Sequence, residues 1–562
     1  MSDARPPAEP EGRFDAVVVG SGFGGSVTAY RLAEAGMSVC VLERGKAYPP
    51  GSFPRSPWQM GRNFWDPSEG LHGLFDVWSF RGLGGVVASG LGGGSLLWSN
   101  VVLRKDRSTF VREPGESWPV SYDDLEPHYE RHERMLAATP YPYSVPPYDG
   151  TFKTRAMEEA SQKLGLEWFL PPLAVTFDPG DGRPRPGVPI PGSEDNLHGR
   201  ARLTCLLCGE CNVGCNYGSK NTLDFNYLSL AKRHGAELRT RCEVKTFAPL
   251  PGGGFTVTYV DHSEAPDDRP RERPLAPHTL HCDRLVLAAG TFGTTYLLLK
   301  NRAAFPGLSE RLGTQFCGNG DLLTLILKAK NPDGSRRILD PGYGPAITST
   351  VRMKDEAEGG RGRAFYIQDG GHPQIVNWIV ESSYQLNVIR KGIRLAKRFL
   401  LLWLRLSRRS NIGREISAFL SPATLSSTTL ELFSMGRDTP DGKMRLTEDG
   451  YLDVDWRKKG STPFFDDLRG TSKQIAGALG GKFMDNPPWH LSRVITVHPL
   501  GGCPMGETSA EGVVDSHGRV FGYPGLVIAD GSVLPGPVGP NPSTTIAALA
   551  HRFAEQTIAD AR

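Results

Sequence analysis

Apolar residues gather along this chain in two kinds of stretch. The first kind is short: AVVV at Ala16–Val19, MSVCVLE ending in Glu43, and LVIADG at Leu526–Gly531. Runs this brief and this apolar predict strands buried on both faces, as in a parallel sheet. RLVLAAGTFGTT (Arg284–Thr295) predicts another buried strand, running into a Gly-Thr turn, and RVITV a strand just before His498. The second kind has helical spacing: SVTAYRLAEAG, stopped by Gly36, and a stretch from about Thr544. Arg390–Arg414 is also helical in period. Ile393, Phe399, Leu400, Trp403 and Leu404 share one face, and Arg394, Lys397, Arg398, Arg405 and Arg408 occupy the other.

Length changes this picture first. A chain of 562 residues exceeds one ordinary core, so two or more domains are expected. Hydrophobic residues at 39% and charged at 22% describe a globular rather than a disordered protein. A net charge of +3 gives no overall drive towards nucleic acid, and none is expected as a partner. The start, MSDARPPAEPEGR, lacks a basic segment followed by an apolar core, so no secretory signal is expected and the location reads as cytoplasmic. No apolar run approaches the ~20 residues of a spanning helix. Arg390–Arg414 nevertheless holds nine Lys or Arg and no acid, the profile of a helix lying on an anionic membrane surface. A lid over a substrate channel, or a helix packed on the core, fits the same pattern.

Gly20-x-Gly22-x-x-Gly25 follows the first strand at once. Gly20 permits a tight turn, Gly22 lets the backbone approach a pyrophosphate, and Gly25 packs helix on strand. The helix N-terminus then offers N–H groups and its dipole to phosphates. Glu43 falls about twenty residues on, where a carboxylate accepts ribose hydroxyls. Together these residues form a complete strand–turn–helix–strand–acid unit for a dinucleotide. Three later stretches look like returns to that cradle: Arg81–Asn100 (RGLGGVVASGLGGGSLLWSN), Arg284–Thr295 and Leu526–Gly531.

With VVVGSGFGGSVTAYRL, GLGGGSLLWSNVVLR and HPLGGCPMG…GRVFGYPGLVIADGSVLPGPVGPNPSTTIAALA in family order, the chain resembles the glucose–methanol–choline (GMC) oxidoreductases, FAD enzymes that oxidise alcohols. Within that family it looks most like the cholesterol oxidase branch. The resemblance implies an α/β fold, with a Rossmann-like FAD-binding domain interleaved with an α+β substrate domain containing an antiparallel sheet. The FAD domain is expected at 14–110, 200–315 and 495–562, the substrate domain at 111–199 and 316–494, and a flexible arm at 1–13. For FAD the resemblance implies contacts from Gly92, Gly93, Gly94, Ser95 and Asn100. It adds Ala289, Gly290, Asp530, Gly531, Asn541 and Pro542, with backbone groups of Val244 for the adenine.

Alcohol oxidation removes a hydroxyl proton while hydride leaves carbon. A neutral imidazole accepts such a proton near pH 7, and a second polar group can hold the oxygen. The resemblance places His498 (TVHPLGG) and Asn541 (GPNPST) in those roles, with hydride passing to flavin N5. The expected substrate is a bulky apolar alcohol such as a sterol, and the acceptor oxygen or a redox partner. One departure concerns a substrate-domain glutamate that cholesterol oxidases use for double-bond isomerisation. SSTTLELFSMGRD has Ser or Leu at the aligned position, with Glu431 nearby on a face that alternation leaves open. Alcohol oxidation survives this comparison, whereas coupled isomerisation is in doubt.

Cys205, Cys208, Cys211 and Cys215 crowd into CLLCGECNVGC, out of nine cysteines in all. Their x2, x2, x3 spacing is that of bacterial ferredoxins, with Asn216 in place of the closing proline. Some sugar dehydrogenases of the resembled superfamily carry an iron–sulfur centre in the comparable segment. The rival readings are zinc, a redox dithiol, and small thiols that simply pack. An iron–sulfur cluster would make the protein a dehydrogenase relaying electrons, acting on a long-chain alcohol or glycoside. A membrane-associated flavoprotein without catalysis is the remaining alternative, and the intact His498 and Asn541 motifs argue against it. His372, in a Gly-rich turn, and Cys503, after HPLGG, read as structural.

Overall fold

The computed structural model describes residues 11–55, 61–113, 115–264, 267, 269–270, 273–372 and 426–562. Strand β1 (Arg13–Val19) lies between β2 (Val39–Glu43) and β9 (Pro277–Leu287), all three parallel. Strand β6 (Glu237–Thr240) extends the β2 edge, also in parallel. The long β9 serves two neighbours on its other side. Its first half pairs antiparallel with β8 (Phe255–Asp261), which pairs in turn with β7 (Cys242–Pro249). Its last three residues pair in parallel with β16 (Leu526–Ile528). Residues Ala16–Val19 and Val39–Glu43 are all buried, as strands covered on both faces must be. Helices α1 (Phe23–Glu34), α2 (Tyr122–Leu136) and α6 (Ser543–Ala559) pack together beside this sheet.

A second sheet is antiparallel throughout. Its order is β5 (Glu167–Phe169), β11 (Thr350–Met353), β12 (Phe365–Gly370), β13 (Leu430–Gly436), β10 (Leu322–Leu327) and β14 (Lys482–Asp485). Helices α3 (Phe152–Leu164) and α5 (Thr462–Ala478) bury Met157, Phe465, Leu468 and Ile475 in the core that also takes Ile326, Ile367, Leu430 and Leu432 from the sheet. The period-2 alternation of the strands thus leaves Gln368, Glu431 and Phe433 on the opposite face. A small sheet of β3 (Phe75–Phe80), β4 (Leu83–Ala88) and β15 (Val494–Thr496) bridges the chain before His498 to the N-terminal segment.

One local expectation changes. After β9 the chain forms a helix, α4 (Gly290–Lys300), rather than a Gly-Thr turn. GTFGTT is a poor helix former, but Gly290 turns with φ +79° and the distant Asp530 carboxylate accepts its N–H at 2.9 Å. A cap supplied from 240 residues away overrides propensity. The basic stretch 390–414 and residues 1–10 of the expected arm lie outside the described residues. Glu11 already donates its N–H to Thr279 at 2.9 Å, and Arg13 opens β1. Among the described residues no helix is long and apolar enough to cross a membrane.

Candidate active site

The glycine loop closes by contacts that only glycine allows. A Cβ on Gly24 would stand 1.4 Å from the Ala529 carbonyl oxygen, and one on Gly25 2.0 Å from that of Gly20. Gly20 itself turns at φ +95°, against Ala288. Gly22 differs: a Cβ there would meet nothing within 4 Å, so this backbone faces open space. Gly290 faces open space in the same way. The second glycine turn folds onto the first, since a Cβ on Gly93 would lie 2.5 Å from the Gly22 Cα.

Glu43 and Ser21 tie these turns together. Ser21 donates to one Glu43 oxygen through its N–H at 3.0 Å and its hydroxyl at 2.6 Å, and Gly45 N–H reaches the other oxygen at 2.8 Å. The Ser21 hydroxyl also accepts from Gly92 N–H at 3.0 Å. A carboxylate has about four acceptor positions, so three are spent within the protein and about one remains open. Ser21 is a site residue that sequence reasoning missed; it occupies a variable position of the motif, where nothing but the fold gives it a partner. Ser95 braces its turn by donating to Gly92 O at 2.7 Å. Asn100, at φ 70°, is buried, and neither side-chain amide atom has a partner among the described residues.

On the far side, Asp530 is buried and accepts from Gly290 N–H, from Thr294 Oγ1 at 2.5 Å and from Ser532 N–H at 2.8 Å. Burial raises its pKa above the usual carboxylate range. Ala289 N–H donates to Thr294 Oγ1 at 3.0 Å, and a Cβ on Gly531 would stand 3.0 Å from Thr291 Oγ1. Pro542 caps α6, and the buried hydroxyls of Ser543 and Thr544 in its first turn lack partners among the described residues. Val244 pairs with Tyr259 at the edge of a bulge in β7, where the register against β8 slips between Val244 and Thr246. Open glycine backbone, orphaned buried amides and hydroxyls, and a helix N-terminus suit a large ligand with phosphates and a polar chain, as FAD is.

His498 and Asn541 are brought to one place by a short segment that sequence reasoning passed over, Gly318–Asp321 (GNGD). Asp321 Oδ1 lies 2.7 Å from His498 Nδ1, while its Oδ2 accepts from Thr496 Oγ1, Val497 N–H and His498 N–H at 2.9, 2.7 and 3.0 Å. Two residues earlier, Asn319 Oδ1 accepts from Val538 and Gly539 N–H, and its Nδ2 donates to Pro540 O at 3.0 Å. The loop carrying Asn541 is therefore pinned beside the strand end carrying His498. Gln368 of β12 reaches across and donates to Asn541 Oδ1 at 2.9 Å. Behind the segment, Asp438 is fully buried and accepts from Gly318 N–H at 2.9 Å; burial lifts its pKa to about 7. Glu431 pairs with His372 at 3.0 Å. Strand alternation puts it on the face shared with Gln368, away from the second core.

The four clustered cysteines line one small cavity of about 20 Å³, together with Lys220. All four are free thiols. Among the described residues, no group of three or more His, Cys, Asp or Glu is placed to hold a metal ion. Leu207 N–H and Ala346 N–H donate to the sulfurs of Cys205 and Cys211 at 3.5 and 3.4 Å. Burial raises the Cys205 thiol and pushes Cys208 up to about 12, which favours the uncharged form. Lys220 spends its ammonium on the carbonyls of Leu96, Trp98 and Cys211. Packed thiols around a buried cationic clamp describe this region. Cys503 is likewise fully buried, against Thr295 Oγ1 at 3.7 Å.

Residues 18–49 match the model of an NAD(P)-binding Rossmann-like domain, and residues 483–550 that of a GMC oxidoreductase. A cholesterol oxidase of Mycobacterium tuberculosis is 31% identical over 96% of this chain and 90% of its own length. A cholesterol oxidase of Acinetobacter baumannii is 28% identical, covering 96% of this chain and 93% of its own. The crystal structure of pyridoxine 4-oxidase from Mesorbium loti superposes with a TM-score of 0.58 at 17% identity, covering 96% and 98% of the two chains, and shows the fold. The chain belongs to the GMC oxidoreductase family. It is an FAD-dependent alcohol oxidoreductase.

Proposed function

We propose that the protein oxidises the hydroxyl of a bulky apolar alcohol, with a sterol as the leading substrate. FAD, when bound, supplies the acceptor for the hydride of the carbinol carbon. The protein's own part is to place the hydroxyl and manage its proton. His498 takes the proton through the ring nitrogen not engaged by Asp321, and Asn541 holds the oxygen. The observation that carries this reading is the shared anchorage of both side chains on Gly318–Asp321. For FAD, the reading assigns the Gly20–Gly25 loop with Glu43, the Gly92–Ser95 turn with Asn100, Val244, Ala289–Gly290, Asp530–Gly531 and Asn541–Pro542. It likewise divides the chain into an FAD domain (14–110, 200–315, 495–562) and a substrate domain (111–199, 316–494).

Support for an apolar substrate comes from the surroundings of the pair. Val497, next to His498, is 57% exposed, Ile495 42%, and Leu323, two residues beyond Asp321 on the same face of its strand, 36%. Apolar surface beside two polar groups suits a substrate with one hydroxyl on a hydrocarbon body. The names of the two bacterial relatives add weight to the sterol. The basic, acid-free composition of 390–414 supports delivery from an anionic membrane surface. Anaerobic addition of cholesterol to the holoenzyme, followed by the flavin absorbance, tests the proposal. Bleaching with formation of the 3-ketone is expected, whereas bleaching only by short polar alcohols would refute the apolar assignment. Peroxide formed in air decides between oxygen and a redox partner as acceptor.

A further inference from the structure

We infer that Asp321 is a positioning residue that fixes His498 as a proton acceptor facing the substrate; this rests on the reading of His498 just given. Asp321 belongs to the Gly318–Asp321 turn that leads into β10 of the antiparallel sheet, whereas His498 follows β15 on a different part of the chain. Its carboxyl is buried and receives four hydrogen bonds: three from Thr496 Oγ1, Val497 N–H and His498 N–H, and the fourth from His498 Nδ1. Three of these contacts converge on Oδ2, and among them Oδ1 is left to the ring nitrogen.

An ionised carboxylate can only accept, so the nitrogen 2.7 Å away must be the one carrying hydrogen. In a neutral imidazole the other nitrogen, Nε2, is then a bare acceptor. The hydroxyl proton has a single place to go on this ring. Once Nε2 has taken it, the imidazolium stands against a buried negative charge instead of alone in a pocket of low polarity. Two of the remaining contacts come from the backbone of Val497 and His498 themselves, so the carboxylate also sets where the ring's own Cα lies. A residue with only a packing role would not require that ring nitrogen and those two N–H groups to converge on the same carboxylate.

Nothing in the spacing of the motifs points to this pairing, since the two residues are separated by 177 positions. Before turnover, Nε2 as a bare acceptor suits a substrate oxygen that carries hydrogen.

The test uses the FAD-loaded enzyme with cholesterol under anaerobic single-turnover conditions. Asp321→Asn keeps the shape but lets the side chain donate to Nδ1, freeing the ring to reverse its tautomer. Flavin reduction is expected to slow roughly 10- to 100-fold. The substrate concentration for half-maximal rate should change less than threefold and FAD content should stay at wild-type level, because the contact serves the proton and not the sterol. Asp321→Glu is expected to recover part of the rate, as it restores an acceptor-only group. Nitrogen-15 NMR of histidine-labelled wild-type protein, with the His498 signal assigned by its loss in His498→Gln, needs no folded Asp321 variant and should show hydrogen on Nδ1. Hydrogen on Nε2, or an Asp321→Asn rate within threefold of wild type beside an inactive His498→Ala, would overturn the inference while leaving the role of His498 intact. Near-normal turnover in His498→Ala would remove that role and the inference with it.

Discussion

The parallel sheet with its glycine turns and the antiparallel sheet that faces it are built on different logics. In the first, backbone packs on backbone: Gly20 with Gly25, Ser21 with Glu43 and Gly92 with Ser95 meet within short units, and Ala288, Ala529 and Asp530 close the turns from farther along the chain. In the second, each contact that matters crosses the chain, as Asp321 to His498 and Gln368 to Asn541 do. The first region has a shape that one cofactor dictates, and local glycine chemistry is enough to make it. The second must aim two side chains at a substrate atom, and does so with groups borrowed from distant strands. The cradle is thus held in its form by sterics, whereas the aim is set by hydrogen bonds that a different sheet supplies.

Substitutions can break this contrast, and the most damaging fall in the cradle. Gly24→Val should abolish folding or FAD binding outright, because even its Cβ would overlap Ala529 O. Soluble, yellow Gly24→Val protein would show that the turn can open. His498→Ala should lower turnover at least ~100-fold with FAD content unchanged, the scale of lost acid–base assistance. Turnover within a few-fold of wild type would detach the imidazole from the chemistry. Gly22→Ala separates ligand from fold, since the added methyl meets only open space. The apoprotein's thermal midpoint should hold while the Kd for FAD rises, by on the order of tenfold; a fall in the apoprotein midpoint instead would place protein against Gly22.

Asp438 sharpens the comparison through pH. Its pKa is raised from 3.8 to about 7 by burial, so between those values the folded state binds more protons than the unfolded state. Stability contributed by its protonated form is present below pH 4 and is lost as pH rises through about 7. Asp438→Asn should therefore raise the thermal midpoint relative to wild type by several degrees more at pH 8 than at pH 5. An equal difference at both would mean that the carboxyl is ionised throughout. The smallest effect is expected in the cysteine cavity. Cys208→Ser should change turnover less than about twofold, as replacing one packed, uncharged thiol touches neither the cradle nor the pair. A large loss of activity would revive a redox role for that thiol.

Much of the cradle was legible before any coordinates. Apolar runs gave β1, β2 and β16 to within three residues at either end, because strands buried on both faces admit little else. The GxGxxG spacing gave the loop because Gly25 packs on Gly20 within the same short unit, although Gly20 also rests against the distant Ala288. The ends of the two site motifs, His498 and Asn541, were legible through resemblance, although why they meet was not. Helix α4 was misread as a turn, since its cap, Asp530, lies 240 positions away. The x2, x2, x3 cysteine spacing was legible as a pattern, but the backbone N–H groups that reach Cys205 and Cys211 and the burial of these thiols come only from the fold. Sequence alone determined where backbone had to come close to backbone, because that depends on residues too small to be replaced. Only the tertiary structure decided which nitrogen of His498 holds a proton and which atom of Asn541 is engaged. Those states are set by partners from another sheet, and neither strand period nor motif spacing encodes a partner.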